Sequence, residues 1–301
     1  MIGAVRNGQL SSTMRPTLIG FTAILMWSLL ALLTAASGRV PPFQLAAMTF
    51  AIGGLLGAAS WIFRKGALAA LRQPAEVWAL GIFGLFGYHA LYFFALRLAP
   101  PAESGLINYL WPLLIVLFSA FLPGEKLKFH HVAGAVLGLI GTIVLVAGRA
   151  QLGFAPEFIP GYCAAFVAAF VWAIYSVLSR RFAEVPTDAV AGFCLATAAL
   201  GAIFHLAFET TMWPGSTTEW LAVLALGLGP VGAAFYVWDI GMKRGDIRVL
   251  GAASYAAPVL STAFLVLAGY AGPTLSLLLA AALIAGGGLI AAKDMIAKRN
   301  G

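Results

Sequence analysis

The sequence has little charge. Only 10% of its 301 residues are charged and 61% are hydrophobic, whereas a soluble domain carries roughly 25% charged residues. Such a chain has too little polar surface to fold in water, so a lipid environment is predicted. The net charge of +7 does not indicate a nucleic-acid-binding protein, because the basic residues are scattered over short loops instead of forming one patch.

Cysteine is scarce, and the usual motifs of enzymes are missing. Cys163 and Cys194 lie inside apolar runs and are expected to be small packing residues. No Gly-rich phosphate loop ending in Lys-Ser/Thr occurs, which argues against direct coupling to ATP. The pair His130-His131 has no third ligand nearby in the sequence, so we expect it to face solvent or lipid headgroups. We therefore expect no enzyme activity, no cofactor and no metal.

Long hydrophobic runs dominate what is present. A bilayer core requires about 20 apolar residues per helix, and the connections between the runs are short. The predicted fold class is therefore an all-α polytopic membrane protein with ten transmembrane helices. The runs are 17–37, 43–63, 77–96, 102–121, 130–148, 159–180, 187–208, 219–240, 249–269 and 274–293.

The basic residues predict the orientation of these helices. If both termini are cytoplasmic, cytoplasmic segments contain all but three of the 18 Lys and Arg residues. The exceptions are Arg39, Arg97 and Arg149. Because Lys and Arg near helix ends favour the cytoplasmic side, this bias predicts an N-in, C-in protein of a bacterial-type inner (plasma) membrane.

A membrane-spanning unit occurs twice, about 146 residues apart. The segments Phe94–Pro112 and Ile240–Pro258 align without gaps, and the matched pairs are Gly105/Gly251, Tyr109/Tyr255 and Pro112/Pro258. Since each unit has five helices, an odd number, the second unit enters the membrane from the opposite side, as in transporters with inverted repeats. The predicted organisation is an N-terminal tail (1–16), a first repeat (17–148), an external linker (149–158), a second repeat (159–293) and a C-terminal tail (294–301).

The paired five-helix unit resembles the drug/metabolite transporter superfamily. The resemblance rests on Trp27-Ser28 in helix 1, a basic turn before helix 4 and Pro123-Gly124-Glu125 after it, which looks like an EamA-type repeat. The second repeat departs from this pattern at residues 269–273, and we expect the turn to be structural. Within the superfamily, the aromatic-rich helices 3 and 4 look most like the YddG-type aromatic amino-acid exporters.

Polar aromatic residues at mid-membrane depth are the candidate substrate site. A buried Tyr or Trp requires a partner for its O–H or N–H, so these faces are expected to turn inward and form a pocket with apolar walls and few polar anchors. For any single tyrosine, packing between helices is an equally good interpretation. By the same resemblance, central-cavity residues contact the substrate. The candidates are Trp27, Tyr88, Tyr92, Asn108, Tyr109, Trp111, Trp172, Ser254 and Tyr255.

Two prolines and one histidine are candidates for moving or coupling roles. Pro112 and Pro258 lie inside helices 4 and 9, where each removes a backbone hydrogen bond, so they predict matched kinks or hinges. His89 is the one deep histidine that could couple transport to protons, although a packed neutral histidine is at least as good an interpretation. Asp239 is expected to pair with Lys243 four residues later.

The resemblance and the residues together predict an exporter of aromatic amino acids and related small metabolites. Its expected mechanism is alternating access, and it is expected to be facilitative because no proton relay is evident. The alternatives are an exporter of nucleobases, hydrophobic amino acids or amphipathic drugs, which an aromatic cage would attract through its ring faces, and a membrane enzyme or scaffold. A monomer suffices to enclose one cavity.

Overall fold

The computed structural model describes residues 13–61, 67–267, 269 and 272–297. Several predicted segments lie partly outside this range, namely residues 1–12 of the N-terminal tail, residues 62 and 63 of the second run, residue 268 of the ninth run and residues 298–301 of the C-terminal tail. All regular secondary structure in the described residues is helical.

Nine helices in the described part of the chain are long and apolar enough to cross a membrane. A tenth apolar helix, α10 (Leu275–Ala291), is shorter, with 17 residues. Each helix lies within a few residues of a predicted run, so the all-helical membrane class is confirmed. The nine are α1 (Met14–Ala36), α2 (Pro42–Trp61), α3 (Ala75–Leu98), α4 (Pro101–Phe121), α5 (Phe129–Ala147), α6 (Pro156–Phe182), α7 (Ala189–Phe208), α8 (Thr217–Arg244) and α9 (Ile247–Leu267).

Helices α3 and α8 both contain one π-helical turn, and the two turns are equivalent in the repeats. They are Phe83–Gly87 and Gly229–Ala233, which lie 146 residues apart. The sequence predicts a distortion of α8 at Pro230, since proline has no amide N–H to donate. The turn in α3 contains no proline, so the repeat position and not Pro230 alone determines this geometry. Single π turns inside α-helices are frequent at functional sites.

Helices α4 and α9 are interrupted at equivalent positions. The regular helix stops at Asn108 and resumes at Trp111 in α4. It stops at Ala253 and resumes at Ala256 in α9. A proline ring clashes with the carbonyl group four residues earlier, and Pro112 and Pro258 therefore act on residues 108 and 254, where the breaks begin. Helix α1 is also interrupted, between Trp27 and Leu30, without a proline.

The two halves interlock instead of lying side by side. The principal helix pairs are α5 with α10, α1 with α8, α2 with α7, α3 with α6, α4 with α6, and α2 with α8. Every one of these pairs joins a helix of the first repeat to a helix of the second. The main helix contacts therefore lie on the boundary between the repeats, which is where a site shared by both halves would lie.

The glycines of α3 and α8, including Gly84, Gly87, Gly229 and Gly232, are expected from the sequence to allow close helix packing. A Cβ atom at Gly84 would clash with the ring of Tyr175 in α6, and one at Gly232 would lie 3.0 Å from the Cα of Gly53 in α2. These two glycines permit close packing, as the sequence predicts. The same expectation is wrong for Gly87, where a Cβ atom would meet only Phe83 of its own helix, and for Gly229, where a Cβ atom would have no neighbour within 4 Å.

Candidate functional site

Four tryptophans meet at the centre of the helix bundle. Trp27, Trp111, Trp172 and Trp238 form six ring pairs with centroid distances from 5.0 to 6.4 Å. We call these residues the tryptophan cluster. Two come from the first repeat and two from the second. Most pairs are edge-to-face or tilted, the arrangement that the ring quadrupole favours.

Two of these rings lie next to helix interruptions. Trp27 is the last residue before the break in α1, and Trp111 is the first residue after the break in α4. The indole N–H of Trp27 donates to the carbonyl oxygen of Pro230 at 3.0 Å, inside the π turn of α8. The indole N–H of Trp238 donates to Ser176 Oγ at 3.1 Å. Both hydrogen bonds cross between helices and hold the rings in place.

A polar group of the first repeat adjoins the tryptophan cluster. The rings of Tyr88 and Tyr92 stack with centroids 6.0 Å apart, and Tyr88 lies 5.2 Å from Trp172. Asn108, the last residue before the break in α4, donates from Nδ2 to the Tyr88 hydroxyl at 3.0 Å. Its carbonyl oxygen Oδ1 is buried and has no hydrogen-bond partner among the described residues. We call Tyr88, Tyr92 and Asn108 the polar edge.

Three of the four tryptophans are more buried than the tyrosines of the polar edge. Trp111, Trp172 and Trp238 are 6%, 3% and 1% exposed, whereas Trp27, Tyr88 and Tyr92 are only partly buried. An unpaired buried carbonyl oxygen costs about 1–3 kcal/mol, so Asn108 Oδ1 is a position at which a donor from a ligand or water would be favourable. The arrangement can hold a flat apolar ring on one side and a hydrogen-bond donor on the other.

The remaining predicted site residues lie farther from the cluster or use their polar groups internally. The hydroxyl of Ser254 donates to the carbonyl oxygen of Leu250 in its own helix at 2.7 Å. Tyr255 is fully buried in a separate apolar cluster with Val116 and Ile284, and Tyr109 packs against that same cluster. The structure therefore brings together Trp27, Tyr88, Tyr92, Asn108, Trp111 and Trp172, but Tyr255 does not join their ring contacts.

Sequence reasoning missed two aromatic residues of the site. Trp238 belongs to the tryptophan cluster, and Phe235 lies 5.9 Å from Trp172 and 6.3 Å from Trp27. A usable signal existed, because the repeat offset pairs Trp238 with Tyr92. Following the offset from the chosen tyrosine would have identified Trp238.

His89 lies beside the site but is held by its own helix. Its Nδ1 is 2.6 Å from the carbonyl oxygen of Leu85. Its ring lies 5.0 Å from Phe50 and 6.1 Å from Phe235. These contacts are those of a packed side chain. The expected pair of Asp239 with Lys243 is confirmed at 2.9 Å.

The histidine pair at the start of α5 differs from the expectation. His131 is 1% exposed and its Nδ1 accepts from the amide of Lys128 at 3.1 Å, so the expectation of a solvated pair is wrong for this residue. Asp294, which is far from the pair in the sequence, supplies a third group. The possible ligand atoms of His130, His131 and Asp294 lie within 4.8 Å of one another. Lys128 Nζ already binds Asp294 at 2.5 Å and thereby lowers the pKa of its carboxyl group.

Comparison with known proteins gives a consistent picture. The model of the EamA-like transporter family matches residues 14–147 and again residues 159–293. A protein of Ancylobacter novellus called aromatic amino acid exporter YddG is 63% identical over 94% of this chain and 98% of its own. The protein of the same name from Escherichia coli is 28% identical over 92% of this chain and 96% of its own. A solved crystal structure with 63% sequence identity superimposes with a TM-score of 0.90 over 93% of this chain and 97% of that one.

Proposed function

This chain belongs to the EamA-like transporter family, and from that premise we propose that it exports aromatic amino acids and related small metabolites across the inner membrane. The relatives named as aromatic amino acid exporters cover nearly the whole chain at 63% and 28% identity. The observation that carries the substrate class is the tryptophan cluster with the polar edge beside it. An aromatic amino acid has the same two parts, a flat ring and a group of hydrogen-bond donors and acceptors.

The substrate ring is proposed to enter between the tryptophans. Trp111 and Trp172 are at most 6% exposed, so a substrate has to separate rings that now touch each other. Replacing ring–ring contacts within the protein by ring–substrate contacts exchanges like for like, since each aromatic pair contributes about 0.5–1.5 kcal/mol beyond its buried area. This exchange favours indole and phenyl side chains over aliphatic ones.

The amino group of the substrate is proposed to bind at the polar edge. Asn108 Oδ1 is a buried acceptor without a partner among the described residues, and the α-ammonium group is the strongest donor of an amino acid. Charge-assisted hydrogen bonds are roughly twice as strong as neutral ones. The hydroxyl groups of Tyr88 and Tyr92, whose rings stack on each other, are proposed to face the remaining polar atoms of the substrate.

Transport is proposed to proceed by alternating access and without a coupling ion. The breaks before Pro112 and Pro258 supply matched points at which α4 and α9 can bend, since hinges commonly lie at residues that end a secondary-structure element. The contacts of His89 with Leu85 and Phe50 support a packing role. Facilitated diffusion down the solute gradient is therefore the simplest mechanism.

The proposed topology has ten spans with both termini in the cytoplasm. Nine helices among the described residues meet the length and hydropathy of a span, and α10, with 17 residues, is at the lower limit of about 17–25 residues for a span. The distribution of Lys and Arg supports this orientation. The principal helix contacts between the repeats lie within one chain, so a monomer suffices for the proposed function.

Amphipathic cations are the second candidate substrates. Four indole rings in mutual contact offer the ring faces that attract a cation most strongly. Such a solute would use the tryptophan cluster without the polar edge, whereas an amino acid would use both.

The proposal is tested by flux into proteoliposomes that contain the purified protein. Radiolabelled tryptophan, phenylalanine, alanine and adenine are compared with and without a pH gradient, with protein-free liposomes as the control. We expect saturable flux of the two aromatic amino acids that does not depend on the pH gradient. Flux of alanine or adenine alone would overturn the substrate class, and the absence of any flux would favour the membrane enzyme or scaffold.

A further inference from the structure

One carboxylate ties the two repeats together at the end of the bundle that we propose to be cytoplasmic. Glu125 follows α4 of the first repeat and contacts two arginines of the second. Arg180 Nη2 lies 2.8 Å from one carboxylate oxygen, and Arg248 Nη2 lies 3.2 Å from the other. We call Glu125, Arg180 and Arg248 the inner latch.

The inner latch also fastens the neighbouring helix ends. Arg180 donates from Nη1 to the carbonyl oxygens of Met242 and Gly245, at 3.0 and 2.8 Å, which are groups at the end of α8. Arg248 donates to the carbonyl oxygen of Lys126 at 2.8 Å. The ends of α4, α6, α8 and α9 are therefore joined by one set of charged groups.

The geometry of Arg248 is set by a second acid. Asp246 precedes α9 and accepts from the amides of Arg248 and Val249 at 3.1 and 3.3 Å, and from Arg248 Nε at 3.1 Å. Burial opposes the ionisation of Asp246, but these hydrogen bonds from Arg248 and the amides hold the pKa of its carboxyl group below the usual value. Asp246 thus holds the Arg248 side chain in the orientation in which it contacts Glu125.

Among the described residues, the opposite end of the bundle has no equivalent of the inner latch. The repeat offset is 146 residues between α4 and α9 and 145 residues between α1 and α6, where it matches Trp27 to Trp172. These offsets pair Glu125 with Ala271, Arg180 with Ala35 and Arg248 with Ala102, although Ala271 lies outside the described residues. All three charged residues thus have alanine at the matching position. The two ends of the bundle share a backbone plan and differ in these charges.

One ion pair does join the repeats at that opposite end, but it is more exposed than the inner latch and stabilises the contact less. Arg97 lies 2.9 Å from Glu209, and the Arg97 side chain is 40% exposed, so solvent screens this pair and its contribution is small. Glu209 also accepts from the amides of Phe43 and Gln44 at the start of α2 and keeps those partners if α3 moves. The side chains of the inner latch are only 13–23% exposed.

We propose that the inner latch biases the substrate-free transporter toward the conformation closed to the cytoplasm, with Glu125 as the residue that sets this bias. An equilibrium between two conformations shifts when one of them contains interactions that the other lacks. Inward opening separates the ends of α4, α6, α8 and α9 and breaks the latch, whereas outward opening leaves it intact. This inference rests on the proposed transport function and orientation, but its test needs no substrate.

The test measures distances between spin labels in the full-length protein in lipid nanodiscs. Cys163 and Cys194 are replaced first, so that only introduced cysteines are labelled. The inner label pair is Phe121→Cys with Glu184→Cys, and the outer pair is Leu267→Cys with Arg39→Cys. These positions are exposed and equivalent in the two repeats, so the pairs report on opposite ends in the same way.

Glu125→Gln keeps the shape of the side chain and removes its charge. We expect the population with long inner distances to rise about tenfold, the size of effect that the loss of a charged hydrogen bond gives, and the outer distances to shorten together with it. Arg180→Gln should give the same shift. Glu76→Gln is the matched control, because it removes an exposed acid at the same end and should leave both distributions unchanged.

Two results would overturn the inner latch. One is an unchanged distribution in both Glu125→Gln and Arg180→Gln, provided that each variant elutes as the parent does in gel filtration. The other is an equal shift in Glu76→Gln, which would mean that any loss of negative charge acts alike. Failure of the proposed substrate would instead appear only in the flux measurement and would leave these distances as expected.

Discussion

Helices α3 and α8 occupy equivalent places in the two repeats, yet they give the site different chemistry. Both have a π turn at the same repeat position, Phe83–Gly87 and Gly229–Ala233, and both continue toward the central rings. At the positions after the π turn that lie beside the central rings, α3 carries Tyr and His side chains where α8 carries Ala, Phe and Trp. The matched pairs are Tyr88/Ala234, His89/Phe235 and Tyr92/Trp238.

The same contrast holds for α4 and α9. Asn108 and Ser254 both lie at the break in their helices, but the amide of Asn108 reaches Tyr88 while the hydroxyl of Ser254 bonds within its own helix. The repeat mate of Trp111 is Ala257. The duplicated backbone thus supplies the geometry, and its divergence supplies a pocket with a polar edge from the first repeat and apolar walls from both.

The largest expected effect comes from making α4 resemble α9 at Trp111. Trp111→Ala places in α4 the residue that α9 has at position 257 and removes a ring that contacts the other three tryptophans. If the first repeat supplies a wall that the second lacks, tryptophan flux in proteoliposomes should fall at least about 100-fold, the consequence of losing several aromatic contacts.

Trp213→Ala serves as the control for Trp111→Ala. Trp213 is 66% exposed and stacks only on Trp220, among its described ring contacts. Its loss should leave flux within about twofold, because exposed substitutions have small effects. Normal flux in Trp111→Ala, measured at equal amounts of reconstituted protein, would make that ring a packing residue.

Much of this architecture could be predicted from the sequence because lipid imposes a simple rule on it. The helix bounds followed from apolar length, and the breaks before Pro112 and Pro258 followed from proline chemistry. The inner latch could not be predicted, because Glu125, Arg180 and Arg248 are far apart in the chain. Glu125 is expected from the sequence only to belong to a structural turn, and the two arginines resemble other basic residues near helix ends. Likewise, the separation of Tyr255 from the ring contacts depends on how α9 packs on α5, which hydropathy does not encode.

The next largest effect should come from the polar edge. Asn108→Leu keeps the volume of the side chain but removes the unpaired acceptor and the hydrogen bond to Tyr88. We expect tryptophan flux to fall about tenfold or more, as for the loss of a charge-assisted hydrogen bond, mainly through a higher KM.

The repeat mate of Asn108 provides the control. Ser254→Ala removes a hydroxyl whose hydrogen is used inside α9, so its KM should stay within about twofold of the parent value. Competition by tryptamine and by indole-3-propionate sharpens the comparison, since only tryptamine has the ammonium group. If both compounds compete equally well with tryptophan for transport by the parent protein, Asn108 does not recognise the amino group.

A smaller effect is expected from the prolines. Pro112→Ala and Pro258→Ala each restore an amide N–H that can complete the helix and remove the ring that clashes with residue 108 or 254. Each should lower the maximal flux about threefold, because conformational steps often limit turnover, while KM changes less. Equal KM and maximal flux in both variants and the parent would show that the breaks are static features.

The smallest effect is expected at His89, where α3 can be given the residue of α8. His89→Phe introduces the side chain present at position 235, and His89→Gln keeps a polar group without a titratable ring. His89 bonds to Leu85 and packs on Phe50 and Phe235. Because these contacts are those of a packing residue, both variants should keep flux within about twofold of the parent value. The dependence of flux on an imposed pH gradient should be the same in both variants and the parent. If His89→Gln alters that dependence, the histidine carries a proton during transport, and the polar character of α3 then serves coupling as well as recognition.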